Sequence, residues 1–380
     1  MHDTRTEPAP TRSGRDRLAW ADNLKVVLVA GVVVAHVLIA YTGVGTWVLE
    51  EPHVRDPLLS VLMMLVLLGG LVGMPLFFLV AGLFTPSSLQ RKGTRRFVAG
   101  RALRLLLPMA LFVLLLSPPI EYVDSDNVGW SGTFWEFVPT VWWPPTPGPT
   151  WFLGVLFVFS AVYAVLRGVR PRRTSRRVPL RTWHLVLAAL VIIVPSFLIR
   201  LAVPLGDEWA RLAIAQAPAW VVGFAMGVLA AEKGWVTSTD RRRARAIRWT
   251  GWGASAACLA IIVGGVTAGF DLEAFLGGGT WQSLLLAILE GPVVVGLSLW
   301  LVDVFQRRLD RQGAVARELG RAAYATFFIH QLVLVGLFLA VRQVSWAPEA
   351  EFLTVAVLGL AVSFGLGSVL VRLPGLSRVL

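Results

Sequence analysis

Long apolar runs recur along the whole chain, and they constrain its fold more than any other feature of the sequence. The hydrocarbon core of a bilayer is about 30 Å thick, and a helix needs about 20 mostly apolar residues to cross it. The chain contains ten runs of that kind, which predicts an all-α, polytopic membrane helix bundle with about ten transmembrane helices. The predicted spans cover residues 22–42, 58–83, 97–117, 149–167, 184–203, 211–231, 249–269, 281–303, 322–341 and 351–371.

The composition excludes a soluble globular enzyme. Hydrophobic residues make up 56% of the 380 residues and charged residues 15%, whereas soluble domains have about 45–50% and about 25%. Cys258 is the only cysteine, so the chain cannot form an internal disulfide. No cluster of histidines or acidic residues has the spacing of metal ligands, and we predict no metal cofactor.

The basic residues between the spans collect on one side of the membrane. All but four of the 35 Lys and Arg residues lie before or at the start of the first span, after the last span, or in and beside every second connection. By the positive-inside rule, both termini are then cytoplasmic. We expect a basic flexible tail at residues 1–19, a membrane domain at 20–372 and a short cytoplasmic tail at 373–380. The four basic residues on the opposite side are Arg55, Arg200, Arg211 and Arg342.

The formal net charge of +12 therefore does not indicate nucleic-acid binding. Arginines in short cytoplasmic loops anchor the spans and meet anionic lipid headgroups. The lipid bilayer is the predicted partner of these charges, and no nucleic acid is expected.

Ionisable residues inside a span are costly in lipid and mark candidate functional sites. Lys25 and His36 lie eleven residues apart in the first span, so they share one face about 16 Å apart along the axis. Asp22 lies close to the same face. In the ninth span, His330 follows Arg321 by nine residues, or about 13 Å, which predicts a depth similar to that of His36.

Glu290 is the carboxylate at mid-membrane depth in the eighth span. Gly291 and Pro292 follow it directly, which predicts an irregular helix that lines a cavity. Glu290 would either pair with a histidine or be protonated and hydrogen-bonded. The first span also has a structural interpretation, in which Lys25 snorkels and pairs with Asp22 while His36 hydrogen-bonds to a neighbouring helix.

Arg101 and Arg104 open the third span, and a separation of three residues makes them neighbours on a helix. Paired guanidinium groups suit phosphate through bidentate hydrogen bonds. Ordinary cytoplasmic anchors would look the same, and the spacing alone does not separate these two interpretations.

Several segments resemble the acyltransferase family 3 integral membrane proteins. The segment WADNLKVVLVAGVVVAHVLIAY resembles the opening signature, a basic residue followed by histidine, and RALR matches the Arg-x-x-Arg motif. FFLVAGLF resembles Phe-x-x-Ser-Gly-Phe, TWFLGVL resembles a Trp-Phe-Leu segment, and LGRAAYATFFIHQLVLV resembles the late Gly-x-x-Ser-Tyr segment followed by histidine. Ala81 and Ala323 stand where the motifs have serine, so any role of those hydroxyls is absent or moved.

The resemblance implies a multi-pass enzyme of the bacterial inner membrane. It would move an acetyl or similar short acyl group from cytoplasmic acyl-CoA, with acetyl-CoA as the expected donor, to a hydroxyl of an extracytoplasmic or lipid-linked glycan. Under this hypothesis His36 acts as general base on the acceptor hydroxyl, which attacks the thioester directly or after transient acylation of the protein. The candidate residues are His36, Glu290 and His330 for catalysis, Lys25, Arg101 and Arg104 for acyl-CoA, and Asp22, Trp151 and Tyr324 for substrate.

Two other functions remain open at this stage. A proton-coupled transporter or exporter of a lipid-linked sugar could use His36, Glu290 and His330 as a proton relay, although the inverted repeats common in transporters are not evident. A non-catalytic partner of a polysaccharide synthase would lack the histidine and arginine motifs that this chain has. A homo-oligomer is also open, because two pairs of glycines with GxxxG spacing permit close helix packing within or between chains. These pairs are Gly69 with Gly73 and Gly223 with Gly227.

Overall fold

The computed structural model describes most of the chain, including every predicted span. The described residues are 18–43, 47–49, 51, 54–55, 58–125, 129–142, 145–169, 178–235 and 241–376. The predicted N-terminal tail up to residue 17 and the last four residues of the predicted C-terminal tail lie outside these ranges.

Ten helices within the described residues are long and apolar enough to cross a membrane, which confirms the predicted fold class. They are α1 (Ala19–Thr42), α2 (Leu58–Lys92), α3 (Thr94–Tyr122), α4 (Gly148–Val169), α5 (Thr182–Arg200), α6 (Ile214–Lys233), α7 (Arg241–Gly265), α8 (Trp281–Arg308), α9 (Ala314–Val341) and α10 (Pro348–Leu370). Shorter helices, Phe134–Thr140 and Glu273–Leu276, lie in the α3–α4 and α7–α8 connections.

Several helices extend beyond their apolar runs. The second apolar run ends near residue 83, yet α2 continues through a polar segment to Lys92. Gly93 ends it with a φ of 73°, in a region that glycine adopts without steric cost. Hydropathy therefore locates the part of a helix that lipid can cover, and the glycine determines where the helix ends.

The candidate site lies on helices from the interior of the bundle. The apolar windows of α6, α8 and α9 are 61%, 61% and 56% buried, whereas that of α5 is 11% buried. Helix α1 packs against α2, α8, α9 and α10. Both histidine-bearing spans, α1 and α9, are therefore enclosed on several sides by protein.

Glycines bring α2 and α6 into close contact. A Cβ atom added to Gly223 or Gly227 would collide with the backbone carbonyl of Pro75 or Leu79. This glycine pair therefore serves packing within the chain. A Cβ added to Gly69 or Gly73 would have no heavy atom within 4 Å, so nothing within the described chain requires glycine at those two positions.

Candidate active site

Two histidines from different spans meet in the interior of the bundle. Nε2 of His330 lies 3.0 Å from Nδ1 of His36, and the two ring centroids are 5.0 Å apart at an interplanar angle of 26°. His330 is fully buried and His36 is partly exposed. The similar depth predicted for the two residues is confirmed, and their imidazole rings form the centre of the candidate site.

The hydrogen bonds of the pair determine where its protons lie when both rings are neutral. Nδ1 of His330 is 2.6 Å from the carbonyl oxygen of Phe327, which can only accept. Nδ1 of His330 therefore donates, and its Nε2 accepts from Nδ1–H of His36. The lone pair of His36 is then on Nε2, the ring nitrogen that takes no part in the hydrogen bond to His330.

A tryptophan outside the spans covers one face of His36. The indole ring of Trp47 stacks on the imidazole with centroids 4.5 Å apart and an interplanar angle of 28°. His36 is therefore in contact with an indole ring as well as with His330. The sequence did not reveal this contact, because Trp47 follows the first apolar run and has no periodic relation to it.

The paired arginines lie at the cytoplasmic junction of α2 and α3 under the predicted topology. Nη2 of Arg101 donates to Oγ1 of Thr85 at 3.4 Å, and Thr85 is fully buried in α2. Lys92, at the end of α2, lies close enough to Arg101 and Arg104 for electrostatic repulsion between the three cations. An anion at this junction would relieve that repulsion, so the cluster is suited to phosphate groups.

Tyr324 connects the arginine cluster to the helix that carries His330. Its hydroxyl donates to the carbonyl oxygen of Arg104 at 2.5 Å. That carbonyl is available because residue 108 is proline, which has no N–H to complete the α-helical hydrogen bond. The segment Ala102–Leu106 is also wound as a π-helix, a feature often found at functional sites. His330 follows Tyr324 by six residues, or about 9 Å along α9, so the two parts of the site are neighbours along one helix.

Lys25 and Asp22 form the ion pair that the structural interpretation predicts. Nζ of Lys25 is 2.6 Å from Oδ1 of Asp22, and the lysine side chain is 42% exposed. A Cβ atom added to Gly320 of α9 would lie 3.4 Å from Cβ of Asp22. The pair therefore lies where α1 and α9 begin, about 16 Å along α1 from His36.

Glu290 pairs with an arginine and not with a histidine. Its Oε2 accepts from Nη2 of Arg200 at 2.6 Å, and both side chains are fully buried between α5 and α8. Oε1 of Glu290 and the Nε and Nη1 atoms of Arg200 have no hydrogen-bond partner among the described residues. Arg200 is one of the four basic residues predicted on the outer side, so its pairing with Glu290 is not apparent from the charge pattern of the sequence.

Trp151 lies at the start of α4 and stacks on Trp220 of α6, with ring centroids 4.5 Å apart. The segment just before it reaches α9, since a Cβ atom at Gly148 would lie 2.6 Å from Oε1 of Gln331. Phe152, the next residue, has its ring centroid 6.1 Å from that of Phe327. Trp151 thus lies near the helix of His330, and its ring contacts within the described residues are with Phe152 and Trp220.

Comparison of the sequence with protein-family models identifies the family of this chain. An acyltransferase domain model, that of acyltransferase family 3, matches residues 18–372. The chain belongs to acyltransferase family 3. It is therefore a multi-pass membrane acyltransferase. Comparison with curated proteins and with solved structures gives no match.

The two alanines that replace motif serines in this acyltransferase lie in apolar surroundings. Ala323 is 4% exposed, and Ala81 is partly buried in the same hydrophobic cluster. The carbonyl oxygen of Ala81 accepts from Oγ1 of Thr85 at 2.8 Å, so a hydroxyl is present one turn further along α2. That threonine also contacts Arg101 and is the polar group of α2 that the motif comparison missed.

No group of three or more histidine, cysteine or acidic residues in the described ranges lies close enough together to hold a metal ion.

Proposed function

We propose that this protein transfers an acetyl or similar short acyl group from acyl-CoA at the cytoplasmic face to a hydroxyl of an extracytoplasmic or lipid-linked glycan. The observation that carries the proposal is the His36–His330 hydrogen bond in the interior of the bundle. It orients a neutral imidazole whose basic Nε2 atom takes no part in that bond, as a general base requires.

In the proposed reaction, Nε2 of His36 takes the proton of the acceptor hydroxyl while its oxygen attacks the thioester carbonyl. The C–S bond then breaks, and the thiolate of CoA leaves with the proton that His36 held. His330 is a positioning residue, because it acts through His36.

The donor would be held by the basic cluster. Arg101 and Arg104 bind the phosphates of acyl-CoA, with acetyl-CoA as the expected donor, and Lys25 assists at the cytoplasmic mouth. Tyr324 fixes the backbone at Arg104. Both termini are cytoplasmic in this arrangement, and the protein lies in the bacterial inner membrane with lipid on its outer faces.

The acceptor would approach from the opposite side. We propose that Trp151 contacts the glycan, while Asp22 acts near the inner mouth through Lys25. Glu290 stays a catalytic prediction, and the hydrogen bond to Arg200 gives it a second role in holding α5 against α8.

The transporter alternative requires His36, Glu290 and His330 to form one proton relay. The two histidines are hydrogen-bonded to each other, but the hydrogen bond of Glu290 goes to Arg200. The arrangement therefore supports acyl transfer better than it supports a relay of these three residues.

The test is a pair of measurements on strains with and without the gene. Membranes containing the protein are supplied with radiolabelled acetyl-CoA, and the envelope glycans of strains with and without the gene are analysed by mass spectrometry. The proposal expects label and added acyl mass on a glycan only when the gene is present. Uptake or export of an unmodified sugar in proteoliposomes, without ester formation, would support the transporter instead.

A further inference from the structure

The described residues on either side of Trp47 are hydrogen-bonded to the end of α1 or end that helix themselves. Gly43 ends α1 in the left-handed conformation, with φ 65°. After Trp47, the backbone N–H of Glu51 donates to the carbonyl of Ala40 at 3.1 Å, and that of Val54 to the carbonyl of Tyr41 at 3.3 Å.

Side chains of the same segment are anchored in the bundle. Leu49 and Val54 are 0% and 1% exposed. Oε1 of Glu51 accepts from Nε of Arg342, at the end of α9, at 2.9 Å. Glu51 and Val54 are therefore bonded to α1, and Glu51 is also bonded to the end of α9, so that the chain just after Trp47 is attached to both histidine-bearing helices.

The indole N–H of Trp47 is a buried donor without a partner. Its Nε1 atom is inaccessible and makes no hydrogen bond within the described residues. A buried donor left unpaired costs about 1–3 kcal/mol. The donor belongs to the ring that stacks directly on His36, with centroids 4.5 Å apart, and it is the closest unpartnered N–H donor to the proposed base that the ring contacts of His36 provide.

The chemistry of indole restricts what the N–H can bind. It donates one hydrogen bond and cannot accept one, so it matches an oxygen that carries negative charge and no proton. In acyl transfer the carbonyl oxygen of the acyl group becomes such an oxygen, whereas the acceptor hydroxyl gives its proton to His36.

We propose that Nε1–H of Trp47 donates to the acyl carbonyl oxygen and stabilises the oxyanion of the tetrahedral intermediate. This inference rests on the proposed function. When the acceptor oxygen attacks and Nε2 of His36 takes its proton, the C=O electron pair moves onto the oxygen that Trp47 binds. When that pair returns, the C–S bond breaks and the CoA thiolate leaves with the proton from His36. Trp47 is thereby a catalytic residue.

The experiment compares Trp47→Phe with Trp130→Phe in the purified full-length protein, reconstituted in proteoliposomes. Both substitutions keep an aromatic ring and remove an indole N–H. Trp130 is a matched control because its Nε1 is also buried without a partner, while its ring packs near Phe137 in the α3–α4 connection. Ester formation from labelled acetyl-CoA gives kcat and KM for each.

We expect Trp47→Phe to lower kcat by about 10²–10³-fold, the usual loss for one oxyanion donor, with the KM for acetyl-CoA within about twofold. Trp130→Phe should behave like the wild type. A wild-type kcat in Trp47→Phe overturns the inference while leaving the proposed function intact. Absence of ester formation in the wild type overturns both.

A second variant covers the case in which Trp47→Phe does not fold. Trp47→His keeps a ring with an N–H donor, so it should be more active than Trp47→Ala. Equal activity of these two variants, with the wild type active, also overturns the inference.

Discussion

Nε2 of His330 lies 3.0 Å from Nδ1 of His36, although 294 positions separate the two residues in the chain. The bond joins α1 to α9 and does not involve Nε2, the basic atom of His36. Replacing His330 with Asn should therefore lower kcat by about 10²-fold, the effect expected when a catalytic group is misplaced by about 1 Å. Ester formation should persist at the lower rate, because His36 remains. A wild-type kcat and an unchanged pH profile in this variant would show that His36 does not depend on His330.

The basic cluster predicts a defect in donor binding. Arg101→Lys and Arg104→Lys keep the charge but lose the planar fork that binds phosphate. We expect the KM for acetyl-CoA to rise by about tenfold or more, since a hydrogen bond to a charged group contributes about 1.5–3 kcal/mol. Arg96→Lys is the control, because Arg96 is an exposed residue of the same helix. If the KM for acetyl-CoA stayed at the wild-type value in all three variants, Arg101 and Arg104 would be ordinary membrane anchors and not a binding site for the donor.

The buried ion pair predicts a non-additive effect on stability. Glu290→Gln or Arg200→Gln alone leaves an unpaired buried partner and should cost about 3–5 kcal/mol. A double variant, Arg200→Met with Glu290→Leu, should recover much of that loss. Thermal unfolding in detergent measures the loss of stability in the single variants and the recovery in the double variant. Losses of stability that simply add in the double variant would contradict the pairing of Arg200 with Glu290. The activity of the folded double variant decides whether Glu290 takes part in catalysis.

More of the fold than of the candidate site could be predicted from the sequence. Ten apolar runs predict the ten spans, and the distance of each histidine from the end of its span that is predicted to be cytoplasmic gives the matched depth. Trp47 and Arg200 could not be assigned in this way. The place of Trp47 depends on a turn at Gly43, and the pairing of Arg200 depends on how α5 packs against α8. Neither is encoded in hydropathy or charge asymmetry.

The close packing of α2 against the glycines of α6 predicts that Gly227→Ala lowers stability and that Gly73→Ala does not. Gly227→Ala would place a Cβ against the backbone carbonyl of Leu79, which cannot move without shifting α2. We expect a loss of about 1–3 kcal/mol, seen as a lower unfolding temperature and a lower yield. Gly73→Ala is the control, because its Cβ would lie in open space. A normal unfolding temperature in Gly227→Ala would contradict the close approach of the two helices.

Two glutamates outside the spans, Glu51 and Glu136, should change the stability of the protein with pH in opposite directions. Burial raises the pKa of Glu51, despite the nearby Arg342 guanidinium. A raised pKa means that the folded protein binds the proton more tightly, so the wild type should gain stability relative to Glu51→Gln as the pH falls from neutrality into the carboxyl range. Hydrogen bonds from the backbone N–H and hydroxyl of Thr133 lower the pKa of Glu136. The wild type should lose stability relative to Glu136→Gln over the same range.

Unfolding temperatures of the two variants and the wild type across that pH range test this prediction. A difference between the wild type and Glu51→Gln that does not change with pH would mean that Glu51 is not buried against the end of α1, and that the segment holding Trp47 is placed differently.

The most direct test of the account is ester formation by His36→Asn in proteoliposomes supplied with labelled acetyl-CoA and the acceptor glycan. His184→Asn is the control, because His184 lies at the start of α5 and contacts Arg181. We predict that His36→Asn inserts and unfolds normally but loses at least 10²-fold in kcat, the usual contribution of a general base, while His184→Asn remains active. A wild-type kcat in His36→Asn would remove His36 from the mechanism and contradict the account.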